Sequence, residues 1–265
     1  MIELERIEIA AWADFYRAAT EESAAACRIG VAEVGGGVAT VAAAADVLAL
    51  NRVVGLGTER PVTPEDLDEI VGLFEDAGVR RFFVQPGPES QPELELWLAA
   101  RGFRHHNNWV KLSRGAEPPR AADSAVRVEP IGPSLAAEFG AICGAAFDWP
   151  EPVRAWVGDP VGREGWHHYM AFVGDVPAAT GAMYLTGSGA WFDFAATRSE
   201  FRGRGAQSAL LERRIADALS LGVERFVVET AEQTAERDAP SYRNTVSFGF
   251  ELAYTRPNYV YEFAG

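Results

Sequence analysis

The chain has few cysteines and histidines, no long apolar run and no excess of basic residues. Its two cysteines, Cys27 and Cys143, stand far apart among small apolar residues. Two such positions imply no disulfide framework, and buried free thiols are the expectation. The four histidines form two adjacent pairs, His105-His106 and His167-His168. Neighbours in a strand point to opposite faces, so neither pair chelates one ion readily and no metal site is expected. No stretch reaches the roughly 18 apolar residues of a membrane span. The longest candidate, Val38 to Leu50, is Ala-rich and interrupted by Asp46. The chain starts Met-Ile-Glu-Leu-Glu-Arg, without the basic-then-apolar order of a signal peptide. A cytoplasmic protein without a membrane partner is the default expectation. Lys and Arg number 24 against 38 Asp and Glu, a net charge of −14. Such a balance disfavours nucleic acid as a partner and is compatible with a cationic amine.

The 265 residues, 48% hydrophobic and 23% charged, suffice for one large domain or two ordinary ones. The segment 116–124, within Arg114-Gly115-Ala116-Glu117-Pro118-Pro119-Arg120-Ala121-Ala122-Asp123-Ser124, carries two prolines and no apolar periodicity. It reads as a linker between residues 1–115 and 125–265. The two halves resemble each other. Gly78-Val79-Arg80-Arg81-Phe82-Phe83-Val84-Gln85 matches Gly222-Val223-Glu224-Arg225-Phe226-Val227-Val228-Glu229, and Gly102-Phe103 matches Gly249-Phe250. Each first glycine follows an amphipathic helical pattern, where a helix C′ residue belongs. Two landmarks at nearly one offset point to internal duplication.

The most informative run is Phe201-Arg202-Gly203-Arg204-Gly205-Ala206-Gln207-Ser208. It joins an apolar strand pattern, Trp191 to Thr197, to a helical pattern, Gln207 to Leu221. Strand, glycine turn and helix N-terminus together make an anion site, because the first-turn N–H groups point outward unpaired and glycine lets the backbone approach. Arg202 and Arg204 add positive charge, and a pyrophosphate is the natural guest. A P-loop would need Gly-Lys-Ser/Thr, which is absent. A dinucleotide fingerprint would need a third glycine where Ser208 stands.

This run resembles the coenzyme A loop of the GNAT superfamily of N-acetyltransferases, Arg/Gln-x-x-Gly-x-Gly/Ala. Arg202 and Gly205 fill the first and fourth positions, while Gln207 replaces the final Gly or Ala. The order of elements over Val126 to Phe263 is similar to that of the superfamily, and Gly249-Phe250 after the last helix is another shared feature. The resemblance implies an α/β fold of mixed α+β type. It implies two tandem GNAT-like domains, each a splayed, mainly antiparallel sheet flanked by helices. The first half lacks the loop: Gly57-Thr58-Glu59-Arg60-Pro61-Val62 carries an acid and a proline there. A degenerate first domain and one acetyl-CoA-binding second domain are the expectation, as monomer or homodimer.

The resemblance assigns cofactor contacts to Ala195, Ala196 and Thr197 on the strand, to Arg202 through Ser208 in the loop, and to Asn244 on a later helix. The implied activity is transfer of an acetyl group from acetyl-CoA to a small-molecule amine by direct attack. The alternative is an acyl-CoA-binding or regulatory tandem protein without catalysis. Asp193, placed by strict alternation on the face of Ala195 and Thr197, is one candidate base; its other reading is a structural partner for an arginine or backbone amide. Glu229 is the second candidate base, or else a solvated strand end. The superfamily's usual thiolate acid, a Tyr four residues before Gly249, is Thr245 here. Tyr242, Tyr254 or a water are the candidate replacements; the other reading of Tyr242 is a core aromatic of its short helix. Acceptor recognition is expected of Phe147 to Glu151, Trp156, Trp166 and Tyr254 to Tyr259, as an aromatic-walled pocket in which Asp148 or Glu151 meets a cation.

Overall fold

A computed structural model describes residues 1–264. It divides the chain into two compact units, Met1–Val110 with Tyr254–Gly265, and Lys111–Ala253. No helix among the described residues is long and apolar enough to cross a membrane.

The first unit begins with helix α1 (Ile2–Arg17) and helix α2 (Glu21–Cys27). The two helices are separate, with Ala18 to Thr20 between them. The break is local: Thr20 is extended, and its hydroxyl accepts from the Ser23 N–H to start α2. Strands β1 (Ile29–Val34), β2 (Gly37–Ala42) and β3 (Arg52–Leu56) follow, then helix α3 (Pro64–Asp76) and strand β4 (Arg81–Pro86). Thr63 caps α3 in a reciprocal box with Asp66, with Pro64 at the first helical position. The Arg60 guanidinium beside Asp66 holds that carboxyl down to about 2. Helix α4 (Leu94–Ala100) and strand β5 (Arg104–Arg114) complete the first pass. β3 and β4 are parallel and stay paired to their ends, through Leu56 with Pro86. The Gly87 N–H closes the gap further by donating to the Leu56 carbonyl at 2.7 Å.

The second unit runs strand β6 (Arg127–Pro130), helices α5 (Ala136–Phe147) and α6 (Glu151–Gly158), then strands β7 (Trp166–Val173), β8 (Val176–Thr186) and β9 (Gly189–Thr197). Helix α7 (Ala206–Ser220), strand β10 (Arg225–Ala231), helix α8 (Pro240–Val246) and strand β11 (Glu251–Glu262) follow. Strands β6 to β9 form an antiparallel meander, and β9 then pairs parallel with β10. On the far side of β10 lies the end of β5. Helices α5 and α7 cover opposite faces: Cys143 of α5 meets Thr180, while Arg214 of α7 meets the next residue, Gly181.

Two expectations change. The final strand, expected within a second domain of residues 125–265, has its residues Tyr259 to Glu262 paired antiparallel with Val84 to Arg81 of the first unit. Residues from Tyr254 onward thus belong to the first unit. The segment 116–124 is no free tether. Arg114 donates to the Phe248 carbonyl at 2.6 Å, Arg120 donates to the Ser247 carbonyl at 2.7 Å, and the Ala122 N–H donates to Glu212 at 2.8 Å. Prolines remove its helical and strand options but leave it free to lie extended on the second unit.

The landmarks of duplication recur as geometry. Gly78 and Gly222 take φ of +69° and +83° after α3 and α7. The next residues, Val79 and Val223, donate back to Phe74 and Ala218, the C″-to-C3 bond that ends a helix on a left-handed glycine.

Candidate functional site

Residues Arg225 to Val228 of β10 pair with Gly189 to Phe192 of β9, and no later pair follows among the described residues. β9 continues to Thr197 and β10 to Ala231, so the two strands open beyond Phe192 and Val228. The edge of β9 over Ala195 to Thr197 therefore faces a gap, with Ala195 itself exposed. The first unit shows no such opening between β3 and β4.

A bulge shapes the opening. Asp193 stands opposite Ala182 and Ala196 opposite Thr180, so Phe194 and Ala195 together oppose Gly181. Phe194 takes φ +52°. Phe194's carbonyl accepts from the Thr180 hydroxyl at 2.9 Å. Those of Asp193 and Ala182 accept from Arg214 at 3.4 and 2.9 Å. Arg214 is 1% exposed and burial pushes its guanidinium down to about 10. Gly181 makes room for it: a Cβ there would lie 2.9 Å from the guanidinium carbon.

The bulge corrects the placement of Asp193. Opposed residues share a face, so Asp193 sits with Ala196 and not with Ala195 and Thr197. Its Oδ1 accepts from the Phe194 N–H at 2.6 Å and its Oδ2 from the Trp191 indole N–H at 3.2 Å. The structural reading of Asp193, as partner of a backbone amide, describes these contacts. Glu229 is no solvated strand end. Its side chain is 6% exposed and lies 3.3 Å from Lys111 Nζ, itself wholly buried. Lys111 also stands 4.9 Å from the Trp191 ring. Asp193, Trp191, Lys111 and Glu229 are thus one cluster at the mouth of the opening. Phe192, between Trp191 and Asp193, points the other way, to Arg214 of α7 and Phe226.

Below the opening lies the glycine loop. Gly203 and Gly205 both take φ +76°, which a side chain would strain. Gly205 caps α7 without any side-chain bond, so the first-turn N–H groups of Ala206, Gln207 and Ser208 are not consumed by a cap. The Gln207 side chain folds back instead, donating to the carbonyls of Ala196 and Thr180 at 2.9 and 3.1 Å and to the Thr197 hydroxyl at 3.1 Å. The larger residue at this position therefore braces β9 and does not fill the loop. Arg202 and Arg204 are exposed. Asn244 of α8 accepts from the Ser208 hydroxyl at 2.9 Å, joining α8 to the first turn of α7. An uncapped helix N-terminus, two exposed arginines and an adjacent open strand edge fit an extended group with a pyrophosphate at one end.

Other expected residues fall elsewhere. Tyr254 lies in the first unit and its hydroxyl bonds the Glu5 carboxylate; burial, then the Glu5 charge, pushes its proton affinity up. Tyr242 is half-exposed on α8, and Thr245 beside it is buried. Trp156 and Trp166 are buried in the second unit, Trp166 against His168 and Tyr184. Glu151 pairs with Arg154 at 2.8 Å, and Asp148 ends α5 in a left-handed turn. Phe147 and Trp149 do stack, at 4.7 Å. Residues 255–259 belong to the first unit. Lys111 and Arg214 escaped the sequence reading; Arg214 left a signal as a charge on the apolar stripe of α7.

The splayed sheet, the bulge and the loop together invite comparison with solved structures. A GCN5-related N-acetyltransferase from Kribbella flavida is similar at 17% identity and TM-score 0.62, covering 96% of each chain. One from Sphaerobacter thermophilus matches at 16% and 0.60, covering 88% of this chain and 76% of that one. A tandem GNAT protein from the clavulanic acid biosynthesis pathway matches at 16% and 0.61, covering 88% and 80%. The chain has the GNAT fold. No family profile and no curated protein matches the sequence.

Proposed function

We propose that the second unit binds acetyl-CoA and transfers its acetyl group to the amine of a small acceptor. The observation that carries this reading is the parting of β9 and β10 directly above the uncapped glycine loop. Arg202, Arg204 and the first turn of α7 would hold the pyrophosphate, and the Ala195 to Thr197 edge would pair with the pantetheine amides. The bound group supplies an activated acyl carbon and a thiolate leaving group. Glu229, one residue beyond the last β9–β10 pair, serves as the base for the attacking amine. The first unit, whose β3 and β4 stay paired, contributes no second cofactor site.

Calorimetric titration with acetyl-CoA tests the reading. One site per chain is expected. Arg202→Glu with Arg204→Glu, both exposed and outside the core, should weaken binding by about 100-fold, or ~2.7 kcal/mol, with an unchanged thermal melt. An unaltered affinity refutes the loop assignment. Release of CoA over a panel of amines then separates transfer from binding alone. The second reading, an acyl-CoA-binding protein without transfer, draws support from buried Thr245 and from Tyr254 lying against Glu5.

A further inference from the structure

The sequence contains one lysine, Lys111; every other residue in its total of 24 Lys and Arg is an arginine. That one lysine has no exposed side-chain surface, whereas a lysine ordinarily sits at the surface. It enters from the end of β5, and β10 lies between β5 and β9. Its Nζ nevertheless reaches Glu229 on β10, at 3.3 Å, and the ring of Trp191 on β9, at 4.9 Å. The ammonium therefore lies across β10, beside Trp191 of the paired stretch and beside Glu229, one residue beyond the last β9–β10 pair. A guanidinium in this position could pair with Glu229 but could not release a proton, since arginine stays protonated in proteins. Ammonium is the group that both pairs and donates. A purely structural buried ion pair gains little, because two desolvated charges seldom outdo apolar residues of the same volume.

We propose that Lys111 is the proton donor to the departing CoA sulfur, in place of the tyrosine that Thr245 replaces. The proposal rests on the acetyl-CoA reading above. The acceptor attacks as the free amine, its ammonium proton already lost to solvent. As nitrogen bonds the acyl carbon, Glu229 takes the second nitrogen-bound proton. The carbon–sulfur bond breaks with its electron pair on sulfur, and Lys111 delivers a proton there. Glu229 then returns its proton to Lys111 across their 3.3 Å contact, which restores both groups. The amide and the CoA thiol are the products, and no other reactant is required.

The solitary lysine makes the test direct. With ¹⁵N-lysine labelling the protein shows one side-chain resonance, and bound CoA shows a thiolate absorbance band. That resonance should shift as the bound thiol ionises, and the thiol should ionise about one pH unit or more below free CoA. Lys111→Arg keeps the charge and should keep most of the thiol shift. Lys111→Met with Glu229→Gln removes both charges, so that neither is left buried alone, and should return the thiol to its free value. A bound thiol with the same titration in the wild type and in the double variant, both shown by calorimetry to bind CoA, overturns the proposal. Failure of the wild type to bind CoA overturns the acetyl-CoA reading, and the role of Lys111 with it.

Discussion

His168 offers a test of the second unit's core that needs no ligand. It lies on β7, 2% exposed, with its ring 4.9 Å from Phe139 and 5.6 Å from Trp166. Neither ring nitrogen has a hydrogen-bond partner. Burial, and secondarily the neighbouring His167, lower its pKa from 6.5 to about 3. The folded state therefore keeps the ring neutral while the unfolded chain takes up a proton below pH 6.5. Stability due to this group is complete above that pH and is lost as pH falls toward 3. Between pH 7 and pH 5 the loss is about 2 kcal/mol, from 1.36 kcal/mol per pH unit over the window in which only the unfolded chain is protonated. His168→Phe removes the titration and two unsatisfied nitrogens while keeping an aromatic ring between Phe139 and Trp166. It should be no less stable than the wild type at pH 7 and about 2 kcal/mol more stable relative to it at pH 5. Urea unfolding followed by tryptophan fluorescence at both pH values measures this. His167, whose pKa burial also lowers, is present in both proteins and cancels. Parallel losses of stability in the two proteins would show that His168 is not buried neutral and would refute the reasoning.

Two further outcomes follow from the same unit. Gly181→Ala places a Cβ 2.9 Å from the Arg214 guanidinium carbon and disturbs its bonds to Ala182 and Asp193; a loss of about 1–3 kcal/mol in thermal or urea melts is expected, and an unchanged melt would show that the arginine does not brace the bulge. Both cysteines are buried, and burial pushes the Cys143 thiol up to about 12; a thiol reagent should therefore find neither in the native protein at neutral pH and both after denaturation.

What was legible in the sequence was local. The glycine loop and the helix ends at Gly78 and Gly222 are each specified within a few residues, by positive φ or an uncapped first turn. These also carried the duplication and the fold, since strand–turn–helix order follows from the same signals. Pairing across long separations was not legible. That β11 would end on β4, that β3 would stay closed while β9 opened, and that Tyr254 would meet Glu5 all depend on residues far apart in the chain. The bulge at Phe194 reversed the face assigned to Asp193, because strict alternation fails where two residues oppose one. Burial decided the charges. A lone lysine and a strand-end glutamate look solvated in one dimension, and only the sheet order β5-β10-β9 takes them out of water and sets them side by side. Sequence specified the short-range backbone geometry, whose causes are steric and local; tertiary structure decided partners and protonation, whose causes are proximity and desolvation.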